Sequence, residues 1–231
     1  MKLTILGSGT SQGIPVIACD CPVCRSADPH DKRLRASAML DIKGKKIIID
    51  AGPDFRYQML RSQVKDLRAI LLTHGHKDHI GGLDDVRAFN WVKQGAVDVY
   101  GNEGTREVVY KDFSYAFAAF RYPGVPEINY HVIDDRPFYI DDIQVVPIPV
   151  LHYKMPVLGF RIGNFAYITD AKTIPASSME RLKGVEYLVI NALRKELHMS
   201  HFNLEEALTM IARIQPKSAF LTHIGHQMGL S

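Results

Sequence analysis

The sequence predicts a layered α/β fold with two packed β-sheets inside. Two observations carry this prediction. Short apolar segments with the length of strands recur along the whole chain, and helical patterns fall between them. Some of the apolar segments alternate with polar residues and others are apolar throughout, as expected for sheets covered on both faces. Strands mixed with helices on both sides are typical of layered α/β proteins.

Ten strands are predicted, and each is a short apolar or alternating run. We find no repeat and no linker, and the Pro-rich stretch 122–126 predicts a surface loop rather than a domain boundary. Residues 1–231 are therefore predicted to form one domain. The predicted strands are Leu3–Leu6, Ala38–Ile42, Lys46–Ile49, Ala69–Leu72, Val97–Tyr100, Ile143–Ile148, Val157–Ile162, Ala166–Thr169, Tyr187–Asn191 and Ser218–Thr222.

Five helices are predicted from the spacing of apolar residues. The last has the clearest start, because Asn203 and Glu206, three residues on, form a capping box. The predicted helices are Phe55–Gln63, Asp84–Val92, Gly104–Asp112, Ser177–Leu182 and Leu204–Ile214.

The composition is that of an ordinary globular protein, with 46% hydrophobic and 23% charged residues. The formal net charge is +3 and no basic run stands out, so nothing points to nucleic acid or an anionic membrane as partner. The first apolar stretch, Leu3–Leu6, is too short for a signal peptide, and no run approaches transmembrane length. A cytoplasmic protein is predicted, and a homodimer is a candidate assembly at this chain length.

The segment from His74 to His79 is the most informative in the chain. It places three imidazoles and a carboxylate, on His74, His76, Asp78 and His79, directly after an apolar strand. We therefore expect these side chains together at one sheet edge. Three neutral imidazoles and one carboxylate, with no thiolate, suit zinc, iron or manganese. The alternative is a solvated turn that happens to be rich in histidine.

Three further metal-ligand residues follow predicted strands later in the chain. His152 follows Ile143–Ile148 after three residues, Asp170 closes the strand at Thr169, and His223 closes the strand at Thr222. Each alone is more typical of a polar residue at a strand end. Together and in this order they indicate a site, in which an aspartate is the natural bridge because each oxygen can face one metal.

These seven residues resemble, in order, the motif series of the metallo-β-lactamase superfamily, over nearly the whole chain. The resemblance implies a four-layer αβ/βα sandwich with a site for two divalent ions, zinc or manganese, on one edge of the sheets. A water between two cations is acidified to hydroxide near neutral pH, so the implied reaction is hydrolysis by metal-bound hydroxide. The implied ligands are His74, His76 and His152 for one metal, Asp78, His79 and His223 for the other, and Asp170 between them.

A cysteine loop precedes this series. Cys19, Cys21 and Cys24 lack only one partner for a tetrahedral structural zinc. The fourth ligand is either His30, nearby in sequence, or His226, three residues beyond His223. The alternative, a loop with free thiols, would leave them prone to oxidation.

A late histidine, His201, lies next to the start of the capped helix. Backbone N–H groups and the helix dipole favour an anion there. An imidazole at this place can bind a phosphate oxygen or protonate a leaving alkoxide. The alternative is a histidine at a helix start that has no role.

The cysteine loop, the His-Phe-Asn-Leu segment 201–204 and the segment 221–227 together resemble one branch of the superfamily, which contains the phosphoribosyl 1,2-cyclic phosphate phosphodiesterase (PhnP-like). This resemblance implies a small phosphodiester substrate, cyclic sugar phosphates included. It implies that His201 protonates the departing sugar oxygen, and Asp78 is counted with the catalytic residues as well as with the ligands. The implied structural zinc ligands are Cys19, Cys21, Cys24 and His226.

Other functions remain open at this point. A tRNA 3′-processing endoribonuclease has a similar motif series, but no long basic arm is visible. A thioester or lactam hydrolase would not require an anion-binding histidine at His201. An inactive metal-binding or ligand-binding module would be expected to have lost at least one ligand.

Four residues are secondary candidates. Asp50, which ends a predicted strand, is a candidate acceptor for one of the histidine ligands, with a buried structural aspartate as the alternative. Lys154 and Arg194 are candidates for neutralising a substrate phosphate, although most such residues are simply solvated. Tyr153, beside His152, either faces the pocket or packs.

Overall fold

The chain folds into two units, each built on a six-stranded sheet. The structure, a computed structural model, describes residues 1–230. The first unit comprises residues 1–7 and 36–134, and the second comprises residues 8–35 and 135–230. The single domain over residues 1–231 stays a prediction. No helix within residues 1–230 is both long and apolar enough to cross a membrane.

The sheet of the first unit has its six strands in chain order. The first three pair antiparallel, and the third to the sixth pair parallel. The strands are β1 (Lys2–Gly7), β2 (Ser37–Ile42), β3 (Lys45–Ile49), β4 (Ala69–Leu71), β5 (Val97–Gly101) and β6 (Ile128–Val132). With helices numbered along the chain, its helices are α2 (Phe55–Arg61), α3 (Lys77–Ile80), α4 (Arg87–Lys93), α5 (Glu103–Asp112) and α6 (Ser114–Phe117), with a 3₁₀ turn at Leu83–Val86.

The core of this unit forms where the parallel strands meet the helices. Ile48 of β3, Ile70 of β4 and Val99 of β5 are fully buried and pack in one apolar cluster with Phe55 of α2. Each such side chain contributes roughly 1.5–3 kcal/mol on burial. This core holds the carboxyl ends of β3 and β4 rigid, and the residues that follow both ends belong to the candidate site.

The sheet of the second unit has the strand order β12-β11-β10-β9-β8-β7. Strands β7 to β10 pair antiparallel, and β10, β11 and β12 pair parallel. The strands are β7 (Phe138–Ile140), β8 (Ile143–His152), β9 (Met155–Ile162), β10 (Phe165–Ile168), β11 (Tyr187–Asn191) and β12 (Ser218–Thr222). The helices are α1 (Pro22–Arg25), α7 (Ala176–Arg181) and α8 (Leu204–Ile214), with 3₁₀ turns at Pro29–Asp31 and His226–Met228.

The predicted capping box at the start of α8 is present. The Asn203 side chain accepts a hydrogen bond from the Glu206 backbone N–H at 2.9 Å, and the Glu206 carboxylate accepts one from the Asn203 N–H at 3.0 Å. The helix begins and ends at the predicted residues, Leu204 and Ile214. The capping box fixes the start of the helix, which lies three residues after the candidate site residue His201.

All ten predicted strands are present, but β8 is longer than predicted. It continues through Pro147 and Pro149 to His152, whereas the sequence placed its end at Ile148. The prolines are tolerated because β7 pairs only with residues 143–145, which leaves their backbone on an open edge. Their carbonyls accept hydrogen bonds from Arg181 and Ser178 of α7.

The sequence missed two strands and three one-turn helices. In β6 the apolar residues alternate with polar ones, and β7 is only three residues long, so neither strand gives a strong apolar signal. α1, α3 and α6 have four residues each, too few to show a helical period. The helix predicted over Asp84–Val92 divides into the 3₁₀ turn and α4.

Candidate functional site

Four predicted ligands of the first unit lie side by side after β4. The strand ends at Leu71, and the chain then turns into α3, which contains Asp78 and His79. The cluster therefore lies partly on a one-turn helix, and not at the strand end alone as predicted. The ring of His74 lies 4.6 Å from the ring of His76 and 4.2 Å from that of His79, between centroids. The Asp78 Oδ2 atom lies 3.1 Å from His79 Nε2.

Asp50 fixes the orientation of His79. This fully buried carboxylate accepts hydrogen bonds from the backbone N–H of Thr73 at 2.8 Å and from His79 Nδ1 at 2.7 Å. The second contact leaves His79 Nε2 facing Asp78. Metal-binding histidines commonly donate one ring N–H to a carboxylate in this way and keep the other nitrogen for the metal. Burial raises the pKa of Asp50, while His79 and Thr73 act in the opposite direction. The structure therefore places Asp50 as a histidine acceptor.

The predicted ligands of the second unit also lie together. His152 is the last residue of β8, Asp170 follows β10 after one residue, and His223 directly follows β12. The Asp170 Oδ1 atom lies 3.3 Å from His223 Nε2. His152, Asp170 and His201 each offer a ligand atom within 4.8 Å of the others. The His152 ring is oriented by its Nδ1 atom, which donates to the Ser200 carbonyl at 2.9 Å.

Two of these residues have left-handed backbone conformations. Asp170 has φ 56° and His223 has φ 53°. Such conformations cost of order 1–3 kcal/mol for residues other than glycine, and they concentrate at functional sites. Both side chains are almost fully buried. The strained residues therefore follow β10 and β12, the two strands that flank β11 in the sheet.

His201 lies among the histidines of the second unit. Its ring centroid is 4.4 Å from that of His152, 4.9 Å from that of His223 and 5.1 Å from that of His198. Its Nδ1 atom is buried and makes no hydrogen bond within residues 1–230, although Asp170 Oδ1 lies 3.7 Å away. Burial lowers the pKa of His201 to about 3, and Asp170 opposes this effect. The ring is therefore neutral at pH 7 in the protein alone.

The three cysteines form a separate cluster with His226. Their Sγ atoms lie 3.2, 3.4 and 3.5 Å from His226 Nδ1. The backbone N–H of Cys24 donates to Cys21 Sγ at 3.4 Å and lowers the pKa of Cys21 to about 6, whereas burial raises that of Cys24. Three thiols and one imidazole within 4.8 Å of one another fit a tetrahedral zinc ion.

The two candidates for the fourth ligand of the cysteine cluster, His30 and His226, have different surroundings. His30 is exposed and pairs with Asp28, its Nδ1 atom 2.7 Å from the carboxylate. His226 instead lies against all three thiols. Of the two histidines, it is therefore His226 that could complete a zinc site with the thiols, across a sequence separation of 207 residues from Cys19.

Replacing His226 is expected to remove one zinc ion per chain. In His226→Ala the three thiols lose their imidazole partner, and we expect a loss of on the order of 3 kcal/mol in unfolding free energy. Roughly 6–12 °C in Tm follows for a chain of this size. Metal analysis and thermal unfolding measure both effects. His30→Ala is the matched control, and zinc loss in that variant instead would contradict the assignment.

The secondary candidates have different surroundings. Lys154 Nζ lies 5.5 Å from the ring centroid of Tyr153, which is half exposed. This places the Lys154 charge over a neighbouring aromatic ring. Arg194 donates one hydrogen bond to the Leu197 carbonyl at 2.8 Å, while its Nε atom is buried without a hydrogen-bond partner among the described residues.

Sequence reasoning missed the residues that hold the ligands. Thr73 lies between Asp50 and His74, and its hydroxyl is 3.0 Å from His74 Nδ1. Thr169 donates a hydrogen bond to Asp170 Oδ2 at 2.6 Å. Each threonine directly precedes a predicted ligand after a buried strand, and this position is the signal that could have identified the two threonines.

The comparisons with known proteins agree with this picture. A family model described as a β-lactamase superfamily domain matches residues 45–224. An octanoyltransferase of Porphyromonas gingivalis is 41% identical over 233 residues, covering 100% of this chain and 47% of that protein. A ribonuclease Z of Nostoc punctiforme is 30% identical over 168 residues, covering 71% of this chain and 47% of that protein. The chain thus spans about half the length of these two curated relatives.

Two solved structures have similar folds. A diphosphatase of the PhnP family is 41% identical with a TM-score of 0.91, covering 97% of this chain and 86% of that chain. The short form of human tRNase Z has a TM-score of 0.74 over 98% of this chain and 93% of that chain, and at 18% identity this likeness shows the fold alone. The predicted fold class is confirmed, and such a fold implies the use of divalent metals. The chain belongs to the metallo-β-lactamase-fold hydrolases of the β-lactamase superfamily, in the PhnP-like branch.

Proposed function

We propose that the chain is a binuclear metal-dependent phosphodiesterase acting on a small phosphodiester, cyclic sugar phosphates included. The observation that carries this proposal is the grouping of imidazoles around a buried carboxylate, with Asp170 beside the partly buried His152 and the buried His201 and His223. The donor atoms are nitrogen and oxygen only, which suits zinc or manganese. When bound, two such cations supply an activated water and stabilise charge on the phosphoryl oxygens.

The assignment of ligands follows the family pattern. By that pattern His74, His76 and His152 would hold one ion, Asp78, His79 and His223 would hold the other, and Asp170 would be the remaining ligand. The donors of the first unit support this, because the Asp78 and His79 ligand atoms lie 3.1 Å apart and Asp50 fixes the His79 ring. The thiols of the zinc cluster need a reducing compartment, so we propose a cytoplasmic location.

The role of His201 is to contact the reacting phosphoryl group. A neutral imidazole donates one hydrogen bond to a phosphoryl oxygen, and a bound anion favours its protonated form. In that form the ring donates a proton to the departing sugar oxygen. The burial of its ring against those of His152 and His223 supports this role, because the ring is held in place while Nδ1 has no hydrogen-bond partner among the described residues.

A second candidate reaction is hydrolysis of a P–O–P bond. The PhnP-family diphosphatase, 41% identical over 97% of this chain, favours this candidate. The same donors would serve, with a phosphate ester as the leaving group. The octanoyltransferase is about twice as long as this chain, so its name does not assign acyl transfer to this part. Ribonuclease Z covers 71% of the chain, which keeps a tRNA 3′-processing activity as a further alternative.

The proposal is tested by a substrate panel with metal-loaded protein. The panel contains bis(p-nitrophenyl) phosphate, a cyclic sugar phosphate, a diphosphate diester, an octanoyl thioester and a precursor tRNA. We expect turnover of the phosphoesters, no turnover of the thioester, and about three metal ions per chain. A protein that leaves every phosphoester intact, or that holds a single ion, is not the proposed enzyme.

A further inference from the structure

The loop between β11 and α8 carries an arginine that the proposed reaction does not use. Arg194 is partly buried, and one guanidinium nitrogen donates to the Leu197 carbonyl at 2.8 Å. Its Nε atom is buried without a hydrogen-bond partner, and no carboxylate of residues 1–230 pairs with it. A partly buried charge without a counter-ion is costly. The planar guanidinium is suited to phosphate, which it binds through two parallel hydrogen bonds.

His198 lies in the same loop, beside the candidate site. Its Nδ1 atom is 3.3 Å from the backbone N–H of Ser200, which donates to it, and 3.2 Å from the Ser200 hydroxyl. This contact places the ring proton on Nε2 and leaves that N–H as a directed donor. The ring centroid lies 5.1 Å from that of His201. One ligand can therefore contact both rings.

The two lysines near this loop, Lys172 and Lys195, are either paired with a carboxylate or exposed to solvent. Lys172 Nζ lies 2.6 Å from the Glu206 carboxylate, so its charge is neutralised. Lys195 is exposed to solvent. Arg194 is close enough to His198 that, after burial, its charge is the next largest effect lowering the pKa of that ring. The uncompensated positive charge near His198 is thus that of Arg194, whose guanidinium also contacts the carbonyl of the preceding residue, Leu197.

We infer that Arg194 and His198 form a second phosphoryl-binding subsite beside His201, and that the substrate class is a diphosphate ester. Water would attack one phosphoryl group at the metal site, next to His201, and the bond from that phosphorus to the bridging oxygen would break, so that one water and one diphosphate diester give two phosphate monoesters. The adjacent phosphoryl group would be held by the guanidinium and by the His198 N–H. This inference rests on the proposed function and narrows it, because a simple phosphodiester leaves the subsite without a ligand.

The test compares two substrates in matched variants. Arg194→Gln and His198→Gln are each expected to raise KM for ADP-ribose, a diphosphate diester, roughly tenfold or more, since each removes a hydrogen bond to an anion. KM for bis(p-nitrophenyl) phosphate, which has a single phosphoryl group, is expected to stay unchanged. Lys195→Gln, which removes a neighbouring exposed cation, and His30→Gln, which removes an exposed imidazole, are the controls, and they should behave as the wild type.

A binding measurement keeps the test independent of turnover. Calorimetric titration of the metal-loaded protein with inorganic pyrophosphate and with inorganic phosphate, at a fixed free metal concentration, should show a preference for pyrophosphate in the wild type. Arg194→Gln should lose that preference.

The outcomes separate the subsite from the proposed function. Equal losses on both substrates, or unchanged pyrophosphate binding, overturn the subsite. A wild type that cleaves bis(p-nitrophenyl) phosphate and not ADP-ribose also overturns it, and leaves the proposed function standing. If the wild type cleaves neither substrate, the proposed function fails. The subsite is then decided by the titrations alone, that is, by whether Arg194→Gln loses the preference for pyrophosphate over phosphate that the wild type shows.

Discussion

Asp170→Asn is expected to lower kcat for phosphoester hydrolysis at least about a thousandfold, because metal catalysis supplies several kcal/mol of charge stabilisation and about 4 kcal/mol corresponds to that factor. The Asp170 carboxylate is buried, with one oxygen 3.3 Å from His223 Nε2 and the other accepting a hydrogen bond from Thr169. An amide has the same shape but carries no charge, and its nitrogen cannot bind a metal. One of the two oxygens required for a shared ligand is thereby lost.

Metal analysis shows whether the loss has this cause. We expect Asp170→Asn to lose metal from the histidine site and to keep the zinc held by Cys24 and its partners. Asp135→Asn is the matched control, since that carboxylate is 61% exposed and pairs with Arg181 at the surface. The control should retain the activity of the wild type. Full activity in Asp170→Asn would show that this residue is not a metal ligand.

Several of the candidate ligands could be located from the sequence because the strand before each of them is clearly apolar, whereas His152 proved to be the last residue of a strand predicted to end at Ile148. Ile47–Ile49 and Ala69–Leu71 are fully buried, and parallel strands end at the same edge of a sheet. Asp50 and His74 therefore had to lie close together. The same reasoning holds for Asp170 and His223, which follow β10 and β12 of the second sheet.

Other features depend on contacts between residues far apart in the chain. The choice of His226 over His30 is one of these, since the cysteines lie more than 200 residues from His226 and only six from His30 at the nearest. The tautomer of His198 is another, because it is fixed by Ser200 only once the loop has folded. Helices of a single turn, such as α3, are too short to repeat a helical pattern of apolar residues.

His201→Ala is expected to lower kcat for phosphoesters about a hundredfold to ten-thousandfold, the range for a removed general acid. The His201 ring packs against His152 and His223, so a change in metal content tests the competing role. If His201 were a metal ligand, the variant would lose an ion, whereas a residue that contacts only the substrate leaves metal content unchanged.

The size of the His201→Ala effect should depend on the leaving group. A p-nitrophenolate departs readily as an anion, whereas a sugar alkoxide needs a proton, so the loss should be larger for a cyclic sugar phosphate than for bis(p-nitrophenyl) phosphate. Equal losses would assign His201 to binding of the phosphoryl oxygens alone. Thioester cleavage, if any is found, should barely change. The control His30→Ala removes an exposed imidazole and should change neither rate. Unchanged phosphoester turnover in His201→Ala would remove this histidine from the mechanism.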